Sequence, residues 1–245
     1  ARGREPHRAS SSARADRWRR LLSSRSTPLT EDEGYALLTD YGIAVPRHAI
    51  AHDRSGALAA ARAIGYPVVL KTAAPGILHK SEVDGVRLDI GDEQQLAAAY
   101  DEISTRLGPR MLVTARVPAT VEMAFGLLQD EAFGAFVMIA FGGIFIEYLK
   151  DSVLAMAPVD AGLASQLVSE LRMAAVLGGV RGAPPCDRAA LIRTAVQLGV
   201  LAQELGSLIA EMDLNPVLVS PSGAVAVDCL IVPRGAGRAG WSRDV

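Results

Sequence analysis

The spacing of apolar and polar residues in the first half of the chain predicts short helices and strands. Thr30-Glu-Asp-Glu33 is a capping box that starts a helix. Residues 67–72 form a short apolar run typical of a buried strand, and residues 86–90 alternate with the period of a strand. The other predicted elements are a helix over 55–64 and a helix that Asp92 caps and that runs to about 107.

In the second half, strand patterns predominate. The predicted strands cover 111–114, 121–125, 135–141, 145–148, 153–157, 209–214, 217–219 and 224–230, and amphipathic helices cover 161–177 and 187–205. Pro221-Ser-Gly223 predicts a hairpin turn. We therefore expect two lobes, 27–110 and 111–233, each with a sheet and helices, followed by a loose tail over 234–245.

Composition favours a protein of mixed helices and strands, α/β or α+β, because aromatic residues are only 5% of the chain while alanine and glycine are common. No uninterrupted apolar run reaches membrane-spanning length, so we expect no membrane contact. Residues 1–26 carry eight arginines against two acids, whereas the remainder is acidic. An acidic body argues against a nucleic-acid binder. We interpret 1–26 as a basic disordered linker or tail, in preference to a transit peptide.

The two cysteines, Cys186 and Cys229, lie far apart in the sequence and lack metal-binding spacing. Each is interpreted as an unpaired thiol in a reducing compartment, so we expect a cytoplasmic protein.

Lysine is rare in this chain, and its positions indicate a phosphate site. Three lysines stand against twenty-two arginines, and Lys71 and Lys80 share one short run. Lysine is a compact point charge, whereas arginine is a planar fork, so a site for one ammonium among phosphate oxygens requires lysine. The amide of Gly85, in a turn after Lys80, can point at a phosphate. The alternative is chance placement, which we favour for Lys150 alone.

His79 lies in the same loop, directly before Lys80. A neutral imidazole can accept a phosphoryl group, so His79 is a candidate nucleophile. The alternative is an ordinary hydrogen-bonded surface histidine. The chain has no Walker-type phosphate loop.

A second candidate site is acidic. The segment from Glu211 through Asp213 to Asn215 ends a predicted strand, and Asp228 is expected on the next strand across the hairpin. Carboxylate and amide oxygens on adjacent strands suit Mg²⁺. The alternative is a cap on the following turn. Glu122, in an apolar strand, is either a paired structural acid or a ligand contact.

Taken together, these residues resemble the ATP-grasp subunit or domain of ADP-forming acyl-CoA synthetases. The likeness is to the acetate–CoA ligase branch, and more distantly to the succinyl-CoA synthetase β subunit. The matching stretches, in family order, are Tyr41-Gly-Ile-Ala-Val-Pro46, Gly65-Tyr-Pro-Val-Val-Leu-Lys71, Ile77-Leu-His-Lys-Ser-Glu-Val-Asp-Gly-Val86, Phe141-Gly-Gly-Ile-Phe-Ile-Glu147, Leu149-Lys-Asp151, Gly179-Val-Arg-Gly182, Pro184-Pro185, Asp213-Leu-Asn-Pro216 and Ala226-Val-Asp228.

The resemblance implies an ATP-grasp fold with a nucleotide cleft between its two lobes. It implies that Lys71 contacts the phosphates of ATP or ADP, in a nucleotide site that we extend to Lys80, Gly85 and Glu122. His79 matches the histidine that relays phosphate. The remaining matches are the Mg²⁺ ligands, which are Asn215 and Asp228.

The resemblance also implies a partner, because no CoA-binding domain is recognisable in this chain. We expect an α-type subunit or domain that binds CoA and a small carboxylic acid and forms the acyl phosphate. The chain departs from the family at Thr114-Ala115-Arg116 and at Gln129, and Asp84 and Ala140 replace glycines. Two alternatives to a ligase therefore stay open. One is a degenerate regulatory domain that binds nucleotide without turnover, and the other is a structural docking partner.

Overall fold

The structure is a computed structural model that describes residues 5–143, 151–180 and 182–236. Its contacts divide the chain into two units. Unit 2 consists of Thr30–Glu33 and Val45–Pro118, and unit 1 contains the described residues up to Leu29, those of Gly34–Ala44 and those from Ala119 onward. The predicted boundary at 110/111 thus differs from the structure, because the strand that starts at Met111 pairs into the sheet of unit 2.

Unit 2 is built on a four-stranded antiparallel sheet with two helices packed against it. The strands and helices are β1 (His48–Ala51), α3 (Arg54–Ile64), β2 (Val68–Thr72), β3 (Val86–Ile90), α4 (Glu93–Leu107) and β4 (Met111–Ala115), and the strand order is β1-β4-β2-β3. Helices α3 and α4 contact β4 and β2, respectively, and each other. Leu70, Leu96 and Ile103 are fully buried in the resulting core. As predicted, the Asp92 carboxylate caps α4 by accepting from the Gln95 amide at 2.8 Å.

Unit 1 contains a six-stranded antiparallel sheet. Its strands are β5 (Val121–Asp130), β6 (Gly134–Phe141), β7 (Ser152–Met156), β8 (Ile209–Ser220), β9 (Gly223–Ala226) and β10 (Leu230–Pro233), in the order β10-β8-β5-β6-β7 with β9 also paired to β8. Among the described residues, unit 1 contains the α-helices α1 (Glu5–Ser24), most of α2 (Glu31–Asp40, whose first turn groups with unit 2), α5 (Ala161–Glu170) and α6 (Arg188–Leu205). Helix α5 contacts β7, and α6 contacts β6 and β9.

The predicted single helix over 161–177 is wrong, because the chain leaves the helical conformation at Leu171, whose ψ is 134°. A short 3₁₀ helix, Ala174–Gly178, follows. The buried carboxylate of Asp151 accounts for the break, since it accepts from the backbone amides of Arg172 at 2.8 Å and Met173 at 2.9 Å. These two bonds to a charged acceptor replace the intrahelical bonds that the two amides would otherwise make.

Two strand predictions also change. Strand β8 continues through Pro216, where the pairing with β5 shifts register between Met123 and Phe125. The bulge tolerates a proline because that position needs no ladder hydrogen bond. By contrast, the predicted strand over 224–230 is interrupted at 227–229, so Asp228 lies in an irregular segment between β9 and β10 and not on a strand.

The predicted disordered start differs from the structure over Glu5–Ser24, which form α1. Ala15, Trp18 and Leu22 recur on one face of the helix and are buried. Arg14 donates to both oxygens of the Glu204 carboxylate, each at 3.0 Å. Burial of the Tyr41 phenol, which lies under Arg14 and donates to Glu204 at 2.7 Å, raises the pKa of Tyr41. Thus an apolar face and a buried polar network hold a segment whose sequence is mostly polar.

Two predictions fall partly or wholly beyond the described residues. The predicted strand over 145–148 lies outside them. Of the predicted loose tail, Arg234–Ala236 form a 3₁₀ turn, and 237–245 lie outside the described residues. Within the described part of the chain, no helix is both long and apolar enough to cross a bilayer.

Candidate functional site

Lys71 and Lys80, the two lysines that the sequence singled out, meet in unit 2 on one carboxylate. Lys71 Nζ lies 2.7 Å from Glu31 Oε1, and Lys80 Nζ lies 2.9 Å from Glu31 Oε2. The side chain of Lys71 is 8% exposed, that of Lys80 is 9% exposed and that of Glu31 is 4% exposed. One anion therefore pairs with both buried cations, and these three side chains together carry a formal charge of +1.

Three different elements bring this cluster together. Lys71 lies on β2, the strand flanked by β4 and β3, where every residue is buried. Lys80 lies in the turn that precedes β3, and Glu31 begins α2. Sequence reasoning missed Glu31 and treated it only as part of the capping box. That box is present without it, since Glu33 Oε2 accepts from the Thr30 amide at 2.9 Å.

His79 is exposed in an irregular segment directly before the buried Lys80. Upstream, Gly76 has a φ of +84°, and no atom lies within 4 Å of the position that a Cβ would take there. The left-handed backbone favours glycine at this turn. The exposed imidazole of His79 thus lies on a loop between the open turn at Gly76 and the buried Lys80.

The Gly85 amide does not fit the predicted phosphate-binding role, because it already donates to the Lys80 carbonyl at 2.8 Å. The Gly85 carbonyl accepts from the Thr72 amide at 2.7 Å. A Cβ at Gly85 would lie 2.6 Å from Thr72 Cγ2 and 3.1 Å from the Lys80 carbonyl oxygen. Glycine is therefore required here for close packing of the loop onto the end of β2.

Asp84, which replaces a glycine of the family pattern, adopts a left-handed φ of +52°. Aspartate tolerates this conformation better than most residues. Its carboxylate lies 2.7 Å from Arg87 and 3.3 Å from Arg106, and the hydrogen bond from Arg87 lowers the pKa of Asp84. These two arginines hold the residue that precedes Gly85.

In unit 1, the pairing registers place Asn215 and Asp228 opposite each other. Val217 pairs with Ala226 on one side, and Asp213 pairs with Leu230 on the other. The interruption at 227–229 keeps the same register, so Asp228 lies across from Asn215. Asn215 is exposed, and Asp228 Oδ1 accepts from the next backbone amide at 2.8 Å. The roles of Asn215 and Asp228 as metal ligands stay predictions.

Glu122, an exposed residue of β5, lines a cavity of about 360 Å³ within unit 1. The cavity is bounded by Thr120, Val121, Glu122, Phe141, Gly142, Gly143, Met173 and Val176. The Gly142 amide donates to the Glu122 carbonyl at 2.7 Å, and a Cβ at Gly143 would lie 2.7 Å from Glu122 Oε2. The two glycines thus let the chain approach the carboxylate closely. The predicted nucleotide contact of Glu122 stays a prediction.

Three departures from the family pattern, at Ala115, Gln129 and Ala140, lie on strands, whereas Asp84 lies in a turn. Ala115 ends β4 opposite Val68, and Ala140 lies on β6 opposite Ala124. Gln129 lies near the end of β5, opposite Ala135. Lys150 and Glu147 lie outside the described residues.

Comparison with known sequences identifies the family of this chain. The sequence matches the ATP-grasp domain family over residues 20–232. It is 33% identical over 217 residues to the protein named acetate–CoA ligase [ADP-forming] I subunit beta of Pyrococcus furiosus, and this alignment covers 85% of this chain and 93% of that protein.

Solved structures agree with the sequence match. An acetyl-coenzyme A synthetase of Ca. Korarchaeum cryptofilum, solved with coenzyme A and Ca-AMPCP, superposes with a TM-score of 0.81 at 34% identity, over 86% of this chain and 95% of that one. A structure of the same synthetase contains coenzyme A and Mg-AMPPCP, with its phosphohistidine segment pointing towards the nucleotide-binding site. Its TM-score is 0.77 at 36% identity, over 86% of this chain and 95% of that one. The predicted ATP-grasp fold is confirmed.

The close packing at Gly85 yields a stability prediction. Gly85→Ala places a methyl group against Thr72 Cγ2, Leu107 Cδ1 and the Lys80 carbonyl, and such overpacking lowers the free energy of unfolding by about 1–3 kcal/mol. Urea denaturation measures the change. Adding Thr72→Ser, which removes Cγ2 but keeps the hydroxyl that accepts from Ala74, recovers part of the loss. Unchanged stability of Gly85→Ala would mean that the loop relaxes freely.

Proposed function

This chain belongs to the ATP-grasp family and is a module of the ADP-forming acetate–CoA ligase type, and we propose that it moves phosphate between ATP or ADP and His79 with the help of Mg²⁺. The enzyme class is that of ligases that form acid–thiol bonds. The observation that carries the proposal is the pair of buried lysines held beside the His79 loop.

The lysine pair supports a phosphate site on electrostatic grounds. Two ammonium groups share one carboxylate, so the cluster keeps a net positive charge in a buried setting where charge interactions are strong. Lys71, at the end of β2, is the proposed contact for the nucleotide phosphates. A phosphate that joined this cluster would be attracted by the positive charge that the single Glu31 carboxylate does not balance.

Asn215 and Asp228 fit a Mg²⁺ ion that takes most of its ligands from elsewhere. The described residues contain no group of three or more His, Cys, Asp or Glu side chains that could hold a metal. Mg²⁺ commonly takes only one or two protein carboxylates or amides and keeps water and phosphate oxygens. An amide oxygen from Asn215 and a carboxylate from Asp228 supply such a set. When bound, the ion would offset the charge of the nucleotide phosphates.

The role proposed for His79 follows from its position. A neutral imidazole nitrogen attacks the terminal phosphorus of ATP, the bond to the bridging oxygen breaks, and ADP leaves with that oxygen. The phosphohistidine then gives its phosphoryl group to a carboxylate substrate held by a partner. Dividing one transfer into two steps is the usual advantage of covalent catalysis. The exposure of His79 leaves it accessible for both steps.

We further propose that CoA and the small carboxylic acid are bound by a separate α-type subunit or domain. Support comes from the relative in Pyrococcus furiosus, which is named a β subunit, and from the coenzyme A present in the related solved structures.

Nucleotide affinity tests the proposed phosphate contact. Lys71→Met should weaken binding of Mg–ADP in calorimetry by about 1–3 kcal/mol, because a charged phosphate loses its partner. Lys71→Arg should also weaken binding, since a guanidinium fork does not replace a point charge. The matched control is Arg54→Met, which removes an exposed cation of unit 2 paired with Asp101. Wild-type affinity in Lys71→Met would place the phosphates elsewhere.

Magnesium dependence tests the metal site. Asp228→Asn keeps the side-chain volume and removes the charge, so the apparent Mg²⁺ affinity measured by titration at fixed ADP should fall about tenfold. The control Asp130→Asn changes a hairpin carboxylate that accepts from Ala132 and Phe133, and it should leave the titration unchanged. Unfolding of Asp228→Asn, seen as loss of the thermal transition, would instead make Asp228 a structural residue.

Phosphate transfer tests the role of His79. His79→Asn should lower ADP-forming turnover about a thousandfold or more in a system reconstituted with the CoA-binding partner, while calorimetric ADP affinity stays within about twofold. Wild type should carry an acid-labile, base-stable phosphate at residue 79. The exposed His52, changed to Asn, is the matched control. Full turnover by His79→Asn would contradict the proposed carrier.

A further inference from the structure

We propose that Glu31 is a positioning residue of the transfer site, which anchors Lys80 as the fixed end of the loop that carries His79. The functional half of this proposal rests on the proposed role of His79. The structural half rests on the contacts of Glu31 alone.

The carboxylate of Glu31 is divided between its two partners. One oxygen lies 2.7 Å from Lys71 Nζ and the other 2.9 Å from Lys80 Nζ. A buried charge that loses its partner destabilises a protein strongly, since it has neither water nor a counter-ion. Without the Glu31 carboxylate, two ammonium groups would face each other in a site with little solvent. Lys80, on a loop, has the freedom to leave, whereas Lys71 is held in the middle of a sheet.

The backbone of Lys80 is held as well as its side chain. Its carbonyl accepts from Gly85, whose own carbonyl accepts from Thr72 on β2. These bonds fix the loop from Lys80 onward to the sheet. On the other side of Lys80, His79 is exposed, and open space surrounds the position that a Cβ would take at Gly76. The loop therefore has a fixed end directly after the imidazole and an open turn three residues before it.

Helix α2 does not need the Glu31 carboxylate for its own start. The capping box is made by Thr30 and Glu33, and Asp32 pairs instead with Arg110 at 3.1 Å. The three acids of this first turn thus make different contacts, and Glu31 is the one seen to contact both lysines.

The scarcity of lysine provides a direct test by digestion with a lysine-specific protease. The chain can be cut only after Lys71, Lys80 and Lys150, and cutting after Lys71, which lies on the buried strand β2, measures any general loosening. In Glu31→Gln, cleavage after Lys80 relative to Lys71 should rise at least about tenfold, because proteolysis follows the population of the open loop. Glu31→Asp, which is one methylene shorter, should rise about threefold and keeps the test available if Glu31→Gln does not fold.

Two controls separate the anchor from general charge effects. Asp32→Asn neutralises a neighbouring acid in the same helical turn and should leave cleavage after Lys80 within about twofold of wild type. Lys71→Met, which should lose nucleotide affinity, keeps the ion pair between Glu31 and Lys80 and should also stay protected. Wild-type cleavage after Lys80 in both Glu31 variants would overturn the proposal.

The functional half is read from kinetics in the reconstituted system. Glu31→Gln should lower kcat of ADP-forming turnover about tenfold or more with a smaller change in KM for ATP, because a displaced nucleophile reduces the rate more than the binding. Increased cleavage after Lys80 with wild-type kcat would overturn the positioning role. If wild type forms no phosphohistidine, the proposed transfer function fails, while the digestion still decides whether Glu31 anchors Lys80.

Discussion

One carboxylate shared by two buried ammonium groups organises the candidate phosphate site. Glu31 lies within 3 Å of both Lys71 and Lys80, and all three side chains are less than a tenth exposed. Buried ions require partners, and a cluster with one anion and two cations retains a charge that can attract a phosphate. The same contacts tie the first turn of α2 and the loop before β3 to the end of β2. The contacts of Glu31 therefore set both the positions of Lys71 and Lys80 and the charge of the site.

The need for compact charges explains why lysine persists here in a chain that otherwise uses arginine. An ammonium group is compact, so two of them share the buried Glu31 carboxylate with one oxygen each, whereas an arginine presents a larger planar fork that commonly takes both oxygens. Elsewhere, arginines make such contacts at more open positions. Arg14 takes both oxygens of Glu204, and Arg87 contacts both oxygens of Asp84.

Much of the fold follows from local sequence signals. The predicted cap at Asp92 sets a helix boundary that the structure reproduces, because caps act within a few residues. Lys71 and Lys80 were found by composition. Glu31 was not, since its partners are 40 and 49 positions away in the sequence, and nothing in its own turn distinguishes it from Asp32. The break at Leu171 was missed for the same reason, because Asp151 causes it from another element.

The central claim is that the Lys71–Glu31–Lys80 cluster receives a nucleotide phosphate. A crystal structure of this chain grown with Mg–ADP tests it most directly. The account predicts a phosphate oxygen about 3 Å from Lys71 Nζ, within hydrogen-bonding distance. Well-defined ADP bound with its phosphates away from Lys71, while Glu31 still holds both lysines, would contradict it.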